Sequence, residues 1–139
     1  MAGFCVSFES DWQKISEKLD KTLSQGIRAT LFEVGAAIIK DTPADTGRAR
    51  GNWQSSVNSG ATGELSRKQK GKRSGAATTE LSQEVNVAIG NIFYLTNNVP
   101  YIRRLEYGYS KKKAPDGMVR KNLQHFNRLL VKNLKAAAK

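Results

Sequence analysis

Cysteine is nearly absent from this chain. Its 139 residues hold one, Cys5, so no disulfide can close within it. The sequence therefore reads as one made in a reducing compartment. Histidine is as scarce: His125 is the single one, 120 positions from Cys5. A zinc site of the usual kind needs about four Cys, His or carboxylate ligands, so no metal is expected. Long apolar runs are missing as well. None approaches the roughly 20 residues that cross a bilayer, and no basic stretch followed by an apolar one opens the chain. Neither a membrane span nor a signal peptide is expected. Acidic residues are few, 12 against 23 lysines and arginines, which leaves a net charge of +11. That balance points to an acidic partner: nucleic acid, an anionic membrane or an acidic protein face. The bland reading is solubility alone. Hydrophobic residues make up 39%, so one modest core is expected in a single domain, 1–139.

Catalytic patterns are also lacking. A Cys5–His125 pair has neither an oxyanion turn nor a third group to orient it. His125 reads as a structural histidine beside Phe126, and Cys5 as a small core residue. Gly71-Lys72-Arg73-Ser74 resembles the end of a phosphate loop only faintly. Ser66 stands where the first glycine belongs, and Arg73 where Ser or Thr must hold magnesium. No dinucleotide-binding glycine pattern occurs, and no glycosidase-like carboxylate pair has support. No catalytic residue and no cofactor are assigned, and an enzyme is not expected.

What is present begins with Phe4-Cys5-Val6-Ser7-Phe8, a short strand-like run. Ser10 with Gln13 forms a capping-box pattern. Trp12, Ile15, Leu19, Leu23, Ile27, Leu31, Val34 and Ile38 then recur at three- and four-residue steps, which predicts a long amphipathic helix. Gly26 and Gly35 weaken it or admit a close neighbour. Pro43 ends it, and Thr42 before it is pushed towards extended backbone. In the following stretch Asp45 suits a turn, Gly47 supplies a positive φ, and Arg48 and Arg50 lie within reach of Asp45. They could equally face a partner chain. Trp53 and Val57 belong to a predicted strand, Asn52–Asn58.

Residues 59–75 read as a long mobile loop with four glycines. Arg67, Lys68, Lys70, Lys72 and Arg73 make it strongly basic. It is solvated, meets an acidic protein surface, or touches DNA. The interleaved aromatics of single-strand binders are absent, as are helix-turn-helix and zinc-finger patterns. Residues Thr78–Ile89 fit two patterns. Val85, Val87 and Ile89 alternate like a strand, while Leu81, Val85, Ala88 and Ile89 suit a helix. A short helix, Thr78–Ala88, followed by a strand, Asn91–Thr96, is favoured. Asn97-Asn98 then tolerates left-handed turn geometry. Pro100 opens a helical turn, Tyr101–Tyr107, ended by Gly108. Tyr101 and Leu105 share a face, and Arg103 can pair with Glu106. Arg104, Tyr107 and Tyr109 project elsewhere, and Tyr and Arg are residue types that anchor interfaces. The alternative is a loop that pins its own helix to the sheet. A last helix runs from Asp116, capped by Asp116 or opened by Pro115. Its apolar stripe is Val119, Leu123, Phe126, Leu130 and Leu134. The fold class expected is α+β: a small antiparallel sheet packed with a long N-terminal helix and a C-terminal helix, with the basic loop between.

Two stretches carry a family resemblance. They are Thr42-Pro43-Ala44-Asp45-Thr46-Gly47-Arg48 with Gly51-Asn52-Trp53, and Leu95-Thr96-Asn97-Asn98-Val99-Pro100-Tyr101 with Leu105-Glu106-Tyr107-Gly108-Tyr109-Ser110 and Ala114-Pro115-Asp116-Gly117-Met118-Val119. In order and spacing the chain resembles the tailed-phage neck and tail-completion family, the minor tail protein Z-like proteins, over residues 10 to 130. The resemblance implies an α+β structural virion protein with no enzymatic role. It implies a homo-oligomeric ring, expected to be a hexamer, at the head-proximal end of the tail. Its partners would be the tail tube or tail terminator protein and the head-tail connector proteins, with DNA close by and no membrane. Assembly would take place in the host cytoplasm. The interface residues expected on this reading are Asp45, Arg48, Arg50, Trp53, Asn97, Pro100, Tyr101, Arg104, Glu106, Tyr107 and Tyr109. One departure stands out. The family commonly has Ser-x-Gln-Ala-Pro, whereas Ser110-Lys111-Lys112-Lys113-Ala114-Pro115 lacks the Gln and is a residue longer. The alternatives are a small basic DNA-binding protein and a head-side connector protein.

Overall fold

The computed structural model describes residues 8–108 and 114–139. The expected strand Phe4–Phe8 lies outside them except for Phe8, which is helical, and Cys5 and Tyr109 lie outside entirely. Helix α1, Phe8–Asp41, is the longest element, with 34 residues. At about 1.5 Å per residue it spans roughly 51 Å. It already includes Ser10, so Ser10 does not cap it. The three- and four-residue apolar spacing extends back from Trp12 to Phe8, and the helix follows it. At the other end Pro43 stops the helix as expected, and the Thr42 hydroxyl donates to the Ile38 carbonyl at 2.7 Å.

A short helix, α2 (Arg48–Gly51), leads into strand β1, Trp53–Val57. Helix α3, Ala76–Glu84, precedes strand β2, Phe93–Asn97. The two strands pair antiparallel, with Trp53 opposite Asn97 and Val57 opposite Phe93. They make a two-stranded sheet, too small to stand alone in water. It is held by packing: α3 lies against β1 and α1. The chain between β1 and α3 crosses the sheet as well, since Gln54 Nε2 donates to the Gly63 carbonyl at 2.9 Å. Trp53, Gln54 and Ser55 are all buried, so the usual in-and-out alternation of a half-exposed strand is lost.

Helix α4, Ile102–Glu106, follows the expected position. The last predicted helix is two pieces, α5 (Val119–Leu123) and α6 (Phe126–Ala137), joined through Gln124 and His125. His125 is exposed there. The start of α5 is not capped by Asp116 or Pro115, both of which are exposed. A carboxylate from α4, Glu106, takes that place. Helix α6 packs along α1, and Gly26 makes the approach possible. A Cβ built there would sit 2.6 Å from Leu134 Cδ2 and 3.1 Å from Leu134 Cα. The glycine that weakens α1 locally is thus the point where its neighbour rests.

The core lies where these elements converge. Val34, Ile38 and Ile39 of α1 meet Trp53 of β1, Leu81 of α3, Val85 just after it, Leu105 of α4 and Met118 before α5. The architecture is α+β, with a small antiparallel sheet packed with a long N-terminal helix and a C-terminal helical pair. No helix among the described residues is long and apolar enough to cross a membrane.

Candidate functional site

The two stretches that carry the family resemblance meet in space. Asn97 Nδ2 donates to the Ala49 carbonyl at 2.7 Å, and Asn97 Oδ1 accepts the Val99 N–H at 3.1 Å. The Arg48 guanidinium lies over the Tyr101 ring, 5.4 Å from its centre. Trp53 and Asn97, paired across the sheet, also line a surface cleft of about 300 Å³ with Arg103, Tyr107, Met118 and Arg120.

Within this unit the side chains fall into two groups. The first is turned inward. Trp53 is buried, and its Nε1–H donates to Thr42 Oγ1 at 2.8 Å. Arg50 is buried too, although it carries a charge. Its Nε donates to the carbonyls of Ile39 and Thr42, both at 3.1 Å. Its Nη2 donates to Lys40 at 3.1 Å and Thr42 at 2.8 Å, and Nη1 donates to the Lys70 carbonyl. Ile39 and Lys40 are in the last turn of α1, whose carbonyls have no partner within the helix. Arg50 is therefore the C-terminal cap of α1, and its charge suits the negative end of the helix dipole. Burial pulls its pKa below the ordinary value, with the Asp41 charge opposing. Arg50, Trp53 and Asn97 thus act as internal locks of the subunit.

Glu106 behaves in the same way. It was expected to pair with Arg103 or to face a partner. Instead its Oε2 accepts the N–H groups of Met118 and Val119, both at 2.8 Å, and its Oε1 accepts that of Arg120 at 2.9 Å. The Arg120 Nε donates to the same Oε1 at 3.0 Å. Three N–H groups at one helix start reward a carboxylate more than one exposed arginine on its own helix does. Burial alone would raise this carboxyl. The hydrogen bonds from the Arg120, Met118 and Val119 backbone and from the Arg120 side chain outweigh it and hold the pKa below the usual value.

The basic loop is irregular between Asn58 and Gly75, as expected, but it is tied down along its length. Glu64 takes the Arg48 guanidinium, with the second oxygen 2.8 Å from Nη2. Leu65 N–H donates to Asn52 Oδ1 at 2.7 Å. Arg67 is engaged within the subunit. It donates to the carbonyls of Gly51 at 2.6 Å and Trp53 at 2.7 Å, and it pairs with Glu80 at 2.8 Å. Burial tends to raise the Glu80 carboxyl, but Arg67 and the Ser55 N–H lower it further, so it lies below its usual value. Gln69 is buried, and its Oε1 accepts the N–H groups of Ala77 at 3.0 Å and Thr78 at 3.3 Å, which caps α3. Its own backbone N–H donates to the Gly47 carbonyl at 2.9 Å. Gly47 has φ 83°, and a Cβ there would sit 2.9 Å from the Gln69 backbone. Both facts demand glycine. Sequence reading missed Gln69, Glu64 and Glu80. The one available signal was Gln69 itself, an uncharged polar residue inside a basic run.

The second group faces outward. Asp45, Arg48, Pro100 and Arg104 are exposed, and Tyr101 is half-buried. Tyr107 is 67% exposed, with the Arg120 guanidinium 4.7 Å from its ring centre. Lys68, Lys70, Lys72 and Arg73 are exposed on the loop. The site is thus a rigid, cross-tied platform carrying arginine, tyrosine and lysine on its surface. Such a surface is suited to contact with another macromolecule. Comparison of the chain with protein-family models, with curated proteins and with solved structures gave no match.

Proposed function

We propose that this chain is a structural subunit of a tailed-phage neck, of the tail-completion kind. It assembles as a ring, a hexamer on the family resemblance, at the head-proximal end of the tail and helps to join tail to head. Its partners are the tail tube or terminator on one side and the connector on the other. The virion neck is then its place of action.

The observation that carries the reading is the convergence of residues 42–53, 95–108 and 114–119 into one platform. Their inward-turned members, Arg50, Trp53, Asn97 and Glu106, hold loops and helix ends in place. Their exposed members, Arg104 and Tyr107, are left free for contact. A subunit whose task is interface formation needs such preorganisation, because loops already ordered add no ordering cost on binding.

Two substitutions test it. Arg104→Glu and Tyr107→Ala should each impair ring or connector assembly, read as a loss of infectious particles in complementation. Tyr107→Ala removes only an exposed ring and its contact with Arg120, so the subunit should keep its helical circular dichroism. Normal joining of heads and tails in both variants would remove these residues from the interface. The exposed cluster Lys68, Lys70, Lys72 and Arg73 favours a second reading, direct DNA contact. Absence of a gel shift at low salt would discard it. A map of the assembled neck distinguishes the tail side from the connector side.

A further inference from the structure

The first half of α1 extends away from the rest of the fold. Trp12, Ile15 and Leu19 are 62%, 59% and 55% exposed. They recur at three and four residues and so form one stripe. Helix α6 reaches α1 at Gly26 and stops at Ala137. Among the described residues, nothing covers the stripe beyond it. A helical segment of this length is marginal by itself in water, and a continuous apolar stripe marks a contact surface. Its charge differs from that of the whole chain. Residues 8–22 carry four carboxylates to three lysines, in a chain of net charge +11. Asp11, Lys18 and Asp20 border the stripe.

A surface of matching character lies at the other end of the same helix. An apolar groove of about 460 Å³ lies along α1, where Phe32 and Ala36 line it with Thr78 of α3 and Leu129 of α6. Lys40, Lys72 and Arg73 form its rim. Glu33 also lines it, but is paired with Lys132 at 3.5 Å. An apolar stripe whose segment has a small acidic excess, with Asp11 and Asp20 at its borders, fits an apolar groove with a basic rim, in the helix-in-groove mode of recognition. The two cannot meet within one molecule. Leu19 and Ala36 sit on one straight helix, about 25 Å apart along its axis.

We infer that a second copy of the chain fills the groove: residues 12–19 of one subunit dock along α1 of the next, beside its basic loop and Leu129. The inference rests on the ring reading and gives it a contact. On the ring reading each copy gives its stripe to one neighbour and receives the stripe of another in its groove, so the contact is head-to-tail. Repetition of such a contact closes into a ring or continues as a filament, whereas two copies that exchange stripes reciprocally would form a closed two-fold dimer.

The test is a disulfide between copies. In a Cys5→Ser background, Leu19→Cys and Ala36→Cys are combined and the protein is mildly oxidised. A disulfide needs Cα atoms within about 7 Å, so only neighbouring copies can be joined. A ladder of dimers and larger multimers on a non-reducing gel is expected, with each single-cysteine variant staying monomeric. Monomer alone from the double variant overturns the inference, and so does equal dimerisation of Leu19→Cys by itself. A charge swap gives an independent reading. Asp20→Lys should raise the concentration needed for assembly about tenfold in sedimentation, and adding Arg73→Glu should recover most of it. No effect of Asp20→Lys, or no recovery, counts against the groove. If Trp12 fluorescence shifts to the blue with phosphatidylglycerol vesicles but not with protein concentration, the occupant is lipid and the inference falls. Rings seen by negative-stain microscopy without the Leu19–Ala36 cross-link would sink this contact and leave the ring standing. Failure of both rings and cross-link would sink the two together.

Discussion

Arg50 and Trp53 both end on Thr42, one on its carbonyl and one on its hydroxyl. Residue type alone pointed the other way, since Arg and Trp are frequent interface anchors. The same properties make them good internal locks: a fork of five donors and a large ring with one donor. Which use applies depends on where the chain places the carbonyls of Ile39, Lys40, Thr42 and Lys70, and no short-range pattern encodes that. The outcome is measurable. Arg50→Lys keeps the charge but offers one compact ammonium where a planar fork reaches four carbonyls. We expect a loss of about 2–3 kcal/mol in urea unfolding, mainly from carbonyls left without donors. Arg104→Lys, on an exposed residue, should stay within about 0.5 kcal/mol. Equal stabilities of the two variants would show that Arg50 does not hold the end of α1.

At the scale of elements, the helices and strands were largely legible, because apolar spacing and turn residues are local signals. The long helix, both strands and the turn at Tyr101 fall near their expected places. Helix ends were not legible. Gln69 caps α3 from eight residues away, Glu106 caps α5 from twelve and more, and Arg50 caps α1 from across the Pro43 turn. Local capping rules look one to three residues out, so Ser10 and Asp116 were natural candidates and neither serves. Gly26 was legible in outline as either a weakness or a place of close approach, and it is the latter. Gly26→Ala separates the two contributions. Helix propensity alone predicts a gain of about 1 kcal/mol. The added methyl would meet Leu134 at both Cδ2 and Cα, and overpacking of this kind costs about 1–3 kcal/mol. We expect a net loss, with α6 amides exchanging faster in hydrogen exchange. A net gain would mean that α6 shifts freely along α1.

For the molecule as a whole, charge is the dominant variable. The sequence shows the excess of +11 but not that its scarce carboxylates are assigned to structural tasks. Glu64 holds Arg48, Glu80 holds Arg67, and Glu106 holds the start of α5. All three have pKa values below the usual 4.5. A carboxyl whose folded pKa is depressed adds stability that is fully present above its unfolded value. That stability is lost as pH falls through the folded value. The protein should therefore be insensitive to pH through neutrality and lose stability below about pH 4.5, with the loss continuing to lower pH. Self-repulsion acts in the same direction, because protonation leaves 23 lysines and arginines unopposed. Salt distinguishes the two contributions. Repulsion between exposed charges is screened, with a Debye length of about 10 Å at 0.1 M, whereas a missing cap at α5 is not restored by salt. Glu80→Gln with Glu106→Gln should unfold more easily at pH 7 and show a shallower decline between pH 5 and 3 than the parent, at equal salt. If the parent and the double variant decline in parallel, the acid sensitivity is repulsion alone and these carboxylates do not hold the loop and helix together.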